Sequence, residues 1–252
     1  MIRRGCSNRP IRRNLFLALI LLFLTGQAVR AQAVNLYDPA LAGTPDSQGM
    51  SYHATGTLFY QPPVAAEQRF INGLTELETD AFNGDHAGYT AGAPQVPVLD
   101  RSRGFTLTFQ LQVLNEQHTS NHRAGLSVII LANDRRGIEL GFWEDRVWAQ
   151  HDDPLFTKAE EAQIDTGQLN TYELSISGDT YTLRSGNVIL RGAVRNYQAS
   201  IVPVYRSANI VFLGDNTTSA GAMIRLGAVR IEAAPPASAT PAPTVPPTIA
   251  PD

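Results

Sequence analysis

The stretch GFTLTFQLQVL, residues 104–114, decides the fold class of this 252-residue chain. Apolar and polar side chains alternate along it without a break. The apolar face consists of Phe105, Leu107, Phe109, Leu111 and Val113. Alternation with a period of two is typical of an extended strand, because successive side chains point to opposite faces. The pattern therefore predicts a half-buried antiparallel strand.

Neighbouring segments also indicate strands. AGLSVIIL, residues 124–131, is apolar on both faces, as a central strand would be. TYELSISGDTYTLRSGN, residues 171–187, predicts a hairpin that turns at Gly178-Asp179. In AMIRLGAVRIE, residues 222–232, the apolar positions change parity, which predicts a β-bulge near Gly227-Ala228.

Helix is predicted in one place only. TKAEEA, residues 157–162, contains a capping box of Thr157 with Glu160 and room for a turn or two. Roughly ten short strands with turn signals between them, in one domain of this size, predict an all-β, two-sheet antiparallel sandwich of the jelly-roll type. We place this domain at residues 34–232.

Residues 1–33 predict a secretory signal. Arginines come first, an apolar run at residues 15–24 follows, and Ala31-Gln32-Ala33 has the small-x-small form of a cleavage site. The apolar run is shorter than the ~20 residues that span a bilayer. We therefore expect a protein that is secreted or exposed on the cell surface, with no membrane span in the mature chain.

Charge and composition narrow the function further. The chain has a net charge of −3, and removal of the six arginines in residues 1–33 leaves −9. Such a surface repels phosphate backbones, which argues against nucleic-acid binding. The single cysteine, Cys6, lies inside the predicted signal, so no disulfide is expected. Residues 233–252 hold seven of the 16 prolines and predict a disordered, extended tail.

Three stretches resemble bacterial secreted domains of the concanavalin A-like, or laminin G-like, sandwich superfamily. They are residues 99–131, GIELGFWEDRVWAQ at residues 137–150, and NIVFLGDNTTSAGA at residues 209–222. The chain looks most similar to uncharacterised surface proteins that couple such a domain to varied anchoring tails. The resemblance implies curved sheets with a concave face. Members include lectins, glycanases, lyases and adhesion modules, so the fold alone leaves function open.

GIELGFWEDRVWAQ contains both tryptophans of the chain. A two-residue turn at Glu144-Asp145 would pair Trp143 with Arg146 and Gly141 with Trp148. Leu140, Phe142, Val147 and Ala149 would then face inward. The outward face would collect the predicted ligand-binding residues, which are Trp143, Trp148, Glu139, Arg146 and Gln150.

An exposed aromatic ring bordered by acid and amide groups suits a pyranose, whose C–H face stacks on the ring while its hydroxyls bond the polar neighbours. We expect Trp148 to be exposed or half-exposed. The alternative is cross-strand packing, in which Trp148 covers Gly141 and Arg146 stacks on Trp143. The prediction is a non-catalytic binding or adhesion module with a polysaccharide or other glycan as ligand.

Two other classes of function stay open at this point, an enzyme that acts on glycans and a structural protein. A glycan hydrolase needs a pair of carboxylates, and Glu139 has no second carboxylate at an alternating position of its strand. A lyase would need a base near a charge-neutralising group, for which Arg123, His118 and His122 are candidates. The remaining alternative is a structural surface protein without a specific ligand.

Calcium is the one cofactor that the sequence suggests. GDNTTSAG, residues 214–221, offers Asp215 and Asn216, and TDAFNGDHAG, residues 79–88, offers Asp80, Asn83 and Asp85. The same residue types are ordinary in turns, so a turn without metal is the competing interpretation.

Overall fold

The computed structural model describes residues 32–55, 66–80 and 84–234. Most of the predicted signal, the tail from residue 235 onward and Asn83 lie outside the described residues. In the part that is described, no helix is long and apolar enough to cross a membrane.

The described chain is built from strands joined by short turns. In chain order these are β1 Gln32–Tyr37, β2 Ser51–Thr55, β3 Glu67–Ile71, β4 Leu74–Glu78, β5 His86–Ala91, β6 Phe105–His118, β7 Ser127–Leu131, β8 Gly137–Trp143, β9 Arg146–Asp152, β10 Leu155–Gln163, β11 Asn170–Ser177, β12 Thr180–Ser185, β13 Val188–Ala193, β14 Ile210–Asp215 and β15 Ala220–Ala233.

These strands form two antiparallel sheets. Sheet A has the order β13-β12-β11-β6-β15-β4-β3, and β1 also pairs with β15. Sheet B has the order β10-β9-β8-β7-β14-β5-β2. Strands that are distant in sequence lie side by side, as in a jelly roll. The predicted two-sheet antiparallel sandwich is confirmed.

The core lies between the two sheets. On β6 the five predicted apolar residues are at most 3% exposed, whereas the alternate threonines and glutamines are half-buried. The Phe109 ring stacks on Tyr172 of sheet A at 5.2 Å and meets the edge of Phe142 of sheet B at 6.1 Å. Burial of each such ring stabilises the fold by roughly 1.5–3 kcal/mol.

The predicted irregularities of sheet A are confirmed. Strands β11 and β12 form the hairpin, with Gly178 at its turn in the left-handed region at φ 58°. In β15 the pairing with β6 shifts between Leu226 and Val229. The backbone N–H of Ala228 has no partner on β6 in the strand pairing, and it donates to the side-chain oxygen of Gln110 at 3.3 Å. The bulge thus keeps both halves of β15 facing the core.

The predicted helix at residues 157–162 is wrong, because this segment is part of β10. Glu161 of β10 pairs with Trp148 of β9, so a neighbouring strand supplies the backbone partners that a helix would have supplied internally. The Thr157 hydroxyl donates to the carbonyl of Pro154 at 2.9 Å and does not form the expected capping box. Helical structure in the described residues consists of short 3₁₀ turns.

A second layer covers part of the outer face of sheet B. It is formed by residues 194–208, which we call the strap and which contain the 3₁₀ helices Tyr197–Ala199 and Pro203–Arg206. Tyr197 and Tyr205 of the strap pack on Ile129 and Leu131 of β7. Strand β7 is therefore buried on both faces, as its sequence predicts. The strap determines which part of sheet B stays open.

Candidate functional site

The hairpin of β8 and β9 has the predicted register. Trp143 pairs with Arg146 and Gly141 with Trp148, so the turn is at Glu144-Asp145. The four residues predicted to face inward are 0% exposed, and they are Leu140, Phe142, Val147 and Ala149. Both tryptophans accordingly lie on the outer face of sheet B.

Trp148 is nevertheless 0% exposed, so the expectation of an exposed or half-exposed ring is wrong. Its indole lies across Gly141, where a Cβ atom would approach the ring to 2.6 Å. The Lys158 ammonium on β10 is 4.3 Å from the ring centroid. Cross-strand packing on Gly141, the alternative interpretation, describes this ring correctly.

Trp143 is half-buried and is held between charged and aromatic side chains. The Lys158 Nζ atom is 3.1 Å from its ring centroid, and the His118 ring stacks on it at 3.9 Å. The Arg146 guanidinium is 5.6 Å away, as the packing alternative predicted. Burial lowers the pKa of Lys158, the only lysine of the chain. The face that a sugar would stack on is already occupied.

Glu139 lies at the centre of a buried network. Its Oε2 atom accepts a hydrogen bond from the Tyr205 hydroxyl at 2.7 Å, and its Oε1 atom accepts one from Ser127 at 3.0 Å. The Arg123 guanidinium is 3.4 Å from Oε1. Glu139 is 0% exposed, which corrects its prediction as a surface ligand residue. Its contacts hold the strap on sheet B, and they leave no room for the carboxylate to reach a polysaccharide.

Gln150 is also buried, against expectation. Its amide donates to the carbonyl of His122 at 2.8 Å, and the indole N–H of Trp143 donates to the carbonyl of Arg123 at 3.0 Å. These two bonds attach the loop at residues 119–123 to the outer face of β8 and β9. Sequence alternation put Glu139, Gln150 and Trp148 on the right face. In the structure the strap contacts Glu139, the loop contacts Gln150, and Lys158 of β10 lies against Trp148.

The two residues predicted for calcium have other partners. Asp215 accepts hydrogen bonds from the Thr79 hydroxyl at 2.8 Å and the Thr217 backbone N–H at 2.9 Å, and burial raises its pKa. The Asn216 amide donates to the Tyr205 hydroxyl at 2.6 Å and accepts from Arg123 at 2.9 Å. Within the described ranges, no group of three or more His, Cys, Asp or Glu side chains could hold a metal ion.

Sheet B does have an open groove next to this covered region. It has a volume of about 500 Å³ and lies between the strap and strands β2 and β5, of which β2 is the edge strand of the sheet. One wall is formed by Val202, Pro203, Val204 and Ser207 of the strap. The opposite side and the floor are formed by His53, Thr55, His86, Ala87, Gly88, Thr90, Phe212, Asp215 and Asn216.

The groove floor depends on one close approach. A Cβ atom at Gly88 would come within 2.7 Å of the Phe212 ring, so the missing side chain lets that ring lie across β5. His53 pairs with Gly88, and Thr55 pairs with His86. The groove floor therefore carries an aromatic ring bordered by imidazole and hydroxyl groups.

Sequence reasoning missed this groove. The signal that could have revealed part of it is the alternation in YHAT, residues 52–55, and HAGYT, residues 86–90. Tyr52 and Tyr89 take the inward positions in these strands, which leaves His53 and His86 outward. Nothing local in the sequence places the strap beside them.

A second cavity, of about 490 Å³, lies on sheet A at the end of β4, β6 and β15. It is lined by Glu78, Thr79, Asp80, Asn115, Gln117, Gly221, Ala222 and Met223. This lining contains two carboxyl groups, and none of its residues has an aromatic ring. The groove on sheet B is the better match to a mixed apolar and polar ligand.

Comparison with known proteins supports the fold class. No family model matches the chain, and no curated protein matches it. A carbohydrate esterase from the Shiga toxin-encoding bacteriophage phi24B aligns with 81% of this chain and 99% of its own at 12% identity, with a TM-score of 0.54. A protein with a galectin-like fold from Bacillus subtilis aligns with 81% and 99% at 9% identity and 0.47.

A lectin from Bauhinia forficata, in complex with GalNAc, aligns with 81% of this chain and 98% of its own at 13% identity, with a TM-score of 0.43. At identities this low, the comparisons bear on the fold alone. The chain is an all-β, jelly-roll β-sandwich with a groove on the outer face of one sheet.

Proposed function

We propose that the protein is a glycan-binding module, secreted or exposed at the cell surface, and that its binding site is the groove between the strap and strands β2 and β5. The observation that carries this proposal is the open groove on the outer face of sheet B. The two tryptophans lie on the same face but are covered by other side chains. The site differs from the tryptophan platform predicted from the sequence, but the ligand class is the same.

The chemistry of the groove suits a sugar. Val202 and Val204 give it an apolar wall, and the Phe212 ring lies in its floor. His53 and Thr90 place an imidazole and a hydroxyl beside these apolar groups. A pyranose needs both kinds of surface, because its C–H groups pack on apolar atoms while its hydroxyls form hydrogen bonds.

Two further considerations support the proposal. The phage protein that shares the fold is described as a carbohydrate esterase. The predicted signal sequence and the −9 charge of the remainder fit an exported protein that does not bind nucleic acid. A hydrolase that uses Glu139 gains no support from the geometry, since that carboxylate is buried beneath the strap.

The proposal is tested by binding of the protein to an array of neutral and acidic glycans, with and without Ca²⁺. Val202→Asp puts a charge on the apolar wall, at a side chain that is 41% exposed. We expect it to weaken binding about tenfold or more, because a carboxylate there must lose water when the ligand binds.

The matched control is Ile201→Asp. Ile201 is the neighbouring strap residue, is 82% exposed and does not line the groove. Wild-type affinity is expected for this variant, and both variants should keep the wild-type melting temperature. Equal losses in the two variants would move the binding site away from the groove. Binding to no glycan at all would favour the structural interpretation.

A further inference from the structure

The groove has its large apolar side chains on one side and its free polar side chains on the other. The apolar ones lie on the strap or against it, and they are Val202, Pro203, Val204 and Phe212. Phe212 and Val204 belong to the apolar cluster that holds the strap on sheet B. The polar side chains opposite the strap belong to β2 and β5, and they are His53, Thr55, His86 and Thr90.

The other polar residues of the lining already have hydrogen-bond partners within the protein. The Ser207 hydroxyl donates to the carbonyl of Pro203 at 3.0 Å, inside the strap itself. The side chains of Asp215 and Asn216 are bonded to the partners described above. The free side-chain donors and acceptors of the groove are thus concentrated on β2 and β5.

The four polar side chains of β2 and β5 are available to a ligand. Within residues 32–55, 66–80 and 84–234, none of the four takes part in a side-chain hydrogen bond. His53 and Thr55 are exposed, and His86 and Thr90 are half-buried. These imidazole and hydroxyl groups can donate to and accept from the hydroxyls of a sugar.

An unsubstituted hexose fits such a two-sided groove poorly. Its hydroxyls surround the whole ring, so a sugar that is bonded to β2 and β5 also turns a polar group toward the valines of the strap. That group loses water and gains no hydrogen bond in return. A methyl group at the same place avoids this cost and is itself removed from water. A single methyl or methylene group in an apolar pocket changes affinity by about 10- to 200-fold.

We propose that the groove binds a sugar with a methyl-bearing substituent, a deoxy sugar or an acetylated sugar, and that this methyl group packs on Val202, Val204 and Phe212. This inference rests on the proposed glycan-binding function and adds the ligand class to it. The strap side then determines specificity. The side formed by β2 and β5 contributes affinity for any sugar.

The experiment measures the dissociation constants of the full protein for pairs of sugars that differ at one position. L-rhamnose with L-mannose, and L-fucose with L-galactose, test the methyl group of a deoxy sugar. N-acetylglucosamine with N-formylglucosamine, and the corresponding galactosamines, test the methyl group of an acetyl substituent. We expect the tightest ligand to be the methyl-bearing member of its pair and to bind about tenfold more tightly than the other member. The pair that responds distinguishes the two kinds of substituent.

Two variants test the two sides of the groove separately. Val202→Thr replaces a methyl with a hydroxyl at nearly constant volume, on a side chain that is 41% exposed. It should reduce the preference for the methyl-bearing sugar to about threefold or less and keep the wild-type melting temperature. Thr90→Val removes a hydroxyl from β5. It should weaken both members of a pair by a similar factor, about three- to tenfold, and so preserve the preference.

Ile201→Thr is the matched control for Val202→Thr, because Ile201 is the adjacent strap residue and does not line the groove. Wild-type dissociation constants are expected for it. The inference is overturned, with the glycan-binding function left standing, if the methyl-bearing sugars bind no more tightly than their partners. The same holds for a preference that Val202→Thr leaves unchanged, or for array ligands that all lack deoxy and acetyl groups. Binding to no glycan overturns the proposed function as well.

Discussion

Trp148 belongs to the interior of the molecule, although it lies on the outer face of a sheet. The indole fills the space over Gly141 and lies beneath Lys158. The hairpin pattern predicted that Gly141 would lie opposite Trp148 and leave space for an indole. Burial of the ring was not predicted, because it depends on Lys158 of the neighbouring strand β10, a segment that the sequence pattern had assigned to helix.

Trp148→Ala is therefore expected to lower the free energy of unfolding by ~3–5 kcal/mol, as removal of a buried aromatic side chain does. Urea denaturation measures this change. Trp143→Ala is the comparison, since that ring is half-buried and should cost less. A loss below ~1 kcal/mol for Trp148→Ala would show that the indole is not packed as described.

At the level of the element, strand β15 depends on one side chain of its neighbour. The bulge leaves the backbone N–H of Ala228 without a strand partner, and the side-chain amide oxygen of Gln110 accepts its hydrogen bond. We expect Gln110→Leu to destabilise the protein by about 1 kcal/mol, because that N–H loses its partner.

The control is Thr108→Val. Thr108 lies on the same strand and the same face as Gln110, but it pairs regularly with Arg230 of β15. This variant should have nearly the wild-type free energy of unfolding. Both changes are measured by chemical denaturation. Equal small effects in the two variants would mean that water replaces Gln110 at the bulge without loss.

Elements also show where local patterns mislead. The bulge was predictable, because parity changes within a single strand between Leu226 and Val229. The assignment of residues 157–162 failed because helix capping is a weak local preference, whereas pairing of β10 with β9 is set by the whole sheet. The groove was not predicted for the same reason, since its two sides are more than a hundred residues apart in the chain.

At the level of the whole molecule, buried charge makes stability depend on pH. Burial raises the pKa of Asp215 above its ordinary value of 3.8. The folded protein therefore holds a proton on Asp215 in a pH range where the unfolded chain has released it. Folding is favoured at the acidic end of that range, and this contribution is lost as the pH rises through the folded-state pKa.

Asp215→Asn should remove this contribution. The stability of the variant relative to wild type is expected to increase as the pH is raised from about 4 to 7, on top of a constant offset from altered hydrogen bonds. Denaturation midpoints at several pH values measure it. Parallel curves for the two proteins would contradict a raised pKa at this carboxyl group.

Strand β1 overlaps the predicted signal-cleavage site. Strand β1 begins at Gln32, and its pairing with β15 runs from Gln32 opposite Ala233 onward. Cleavage at the predicted site after Ala33 would remove only the first two residues of this strand. Cleavage itself, like the behaviour of the tail, stays a prediction.

The two glycines beneath aromatic rings have an evolutionary consequence. Gly88 accommodates the ring of Phe212, and Gly141 accommodates that of Trp148. A mutation that adds a side chain at either glycine is tolerated only after its ring has been lost, and a lost ring leaves a hollow that a larger residue can fill. In descendants of this sequence, each glycine and its aromatic partner should thus change together, and the outer face of sheet B should diverge in coupled pairs of substitutions.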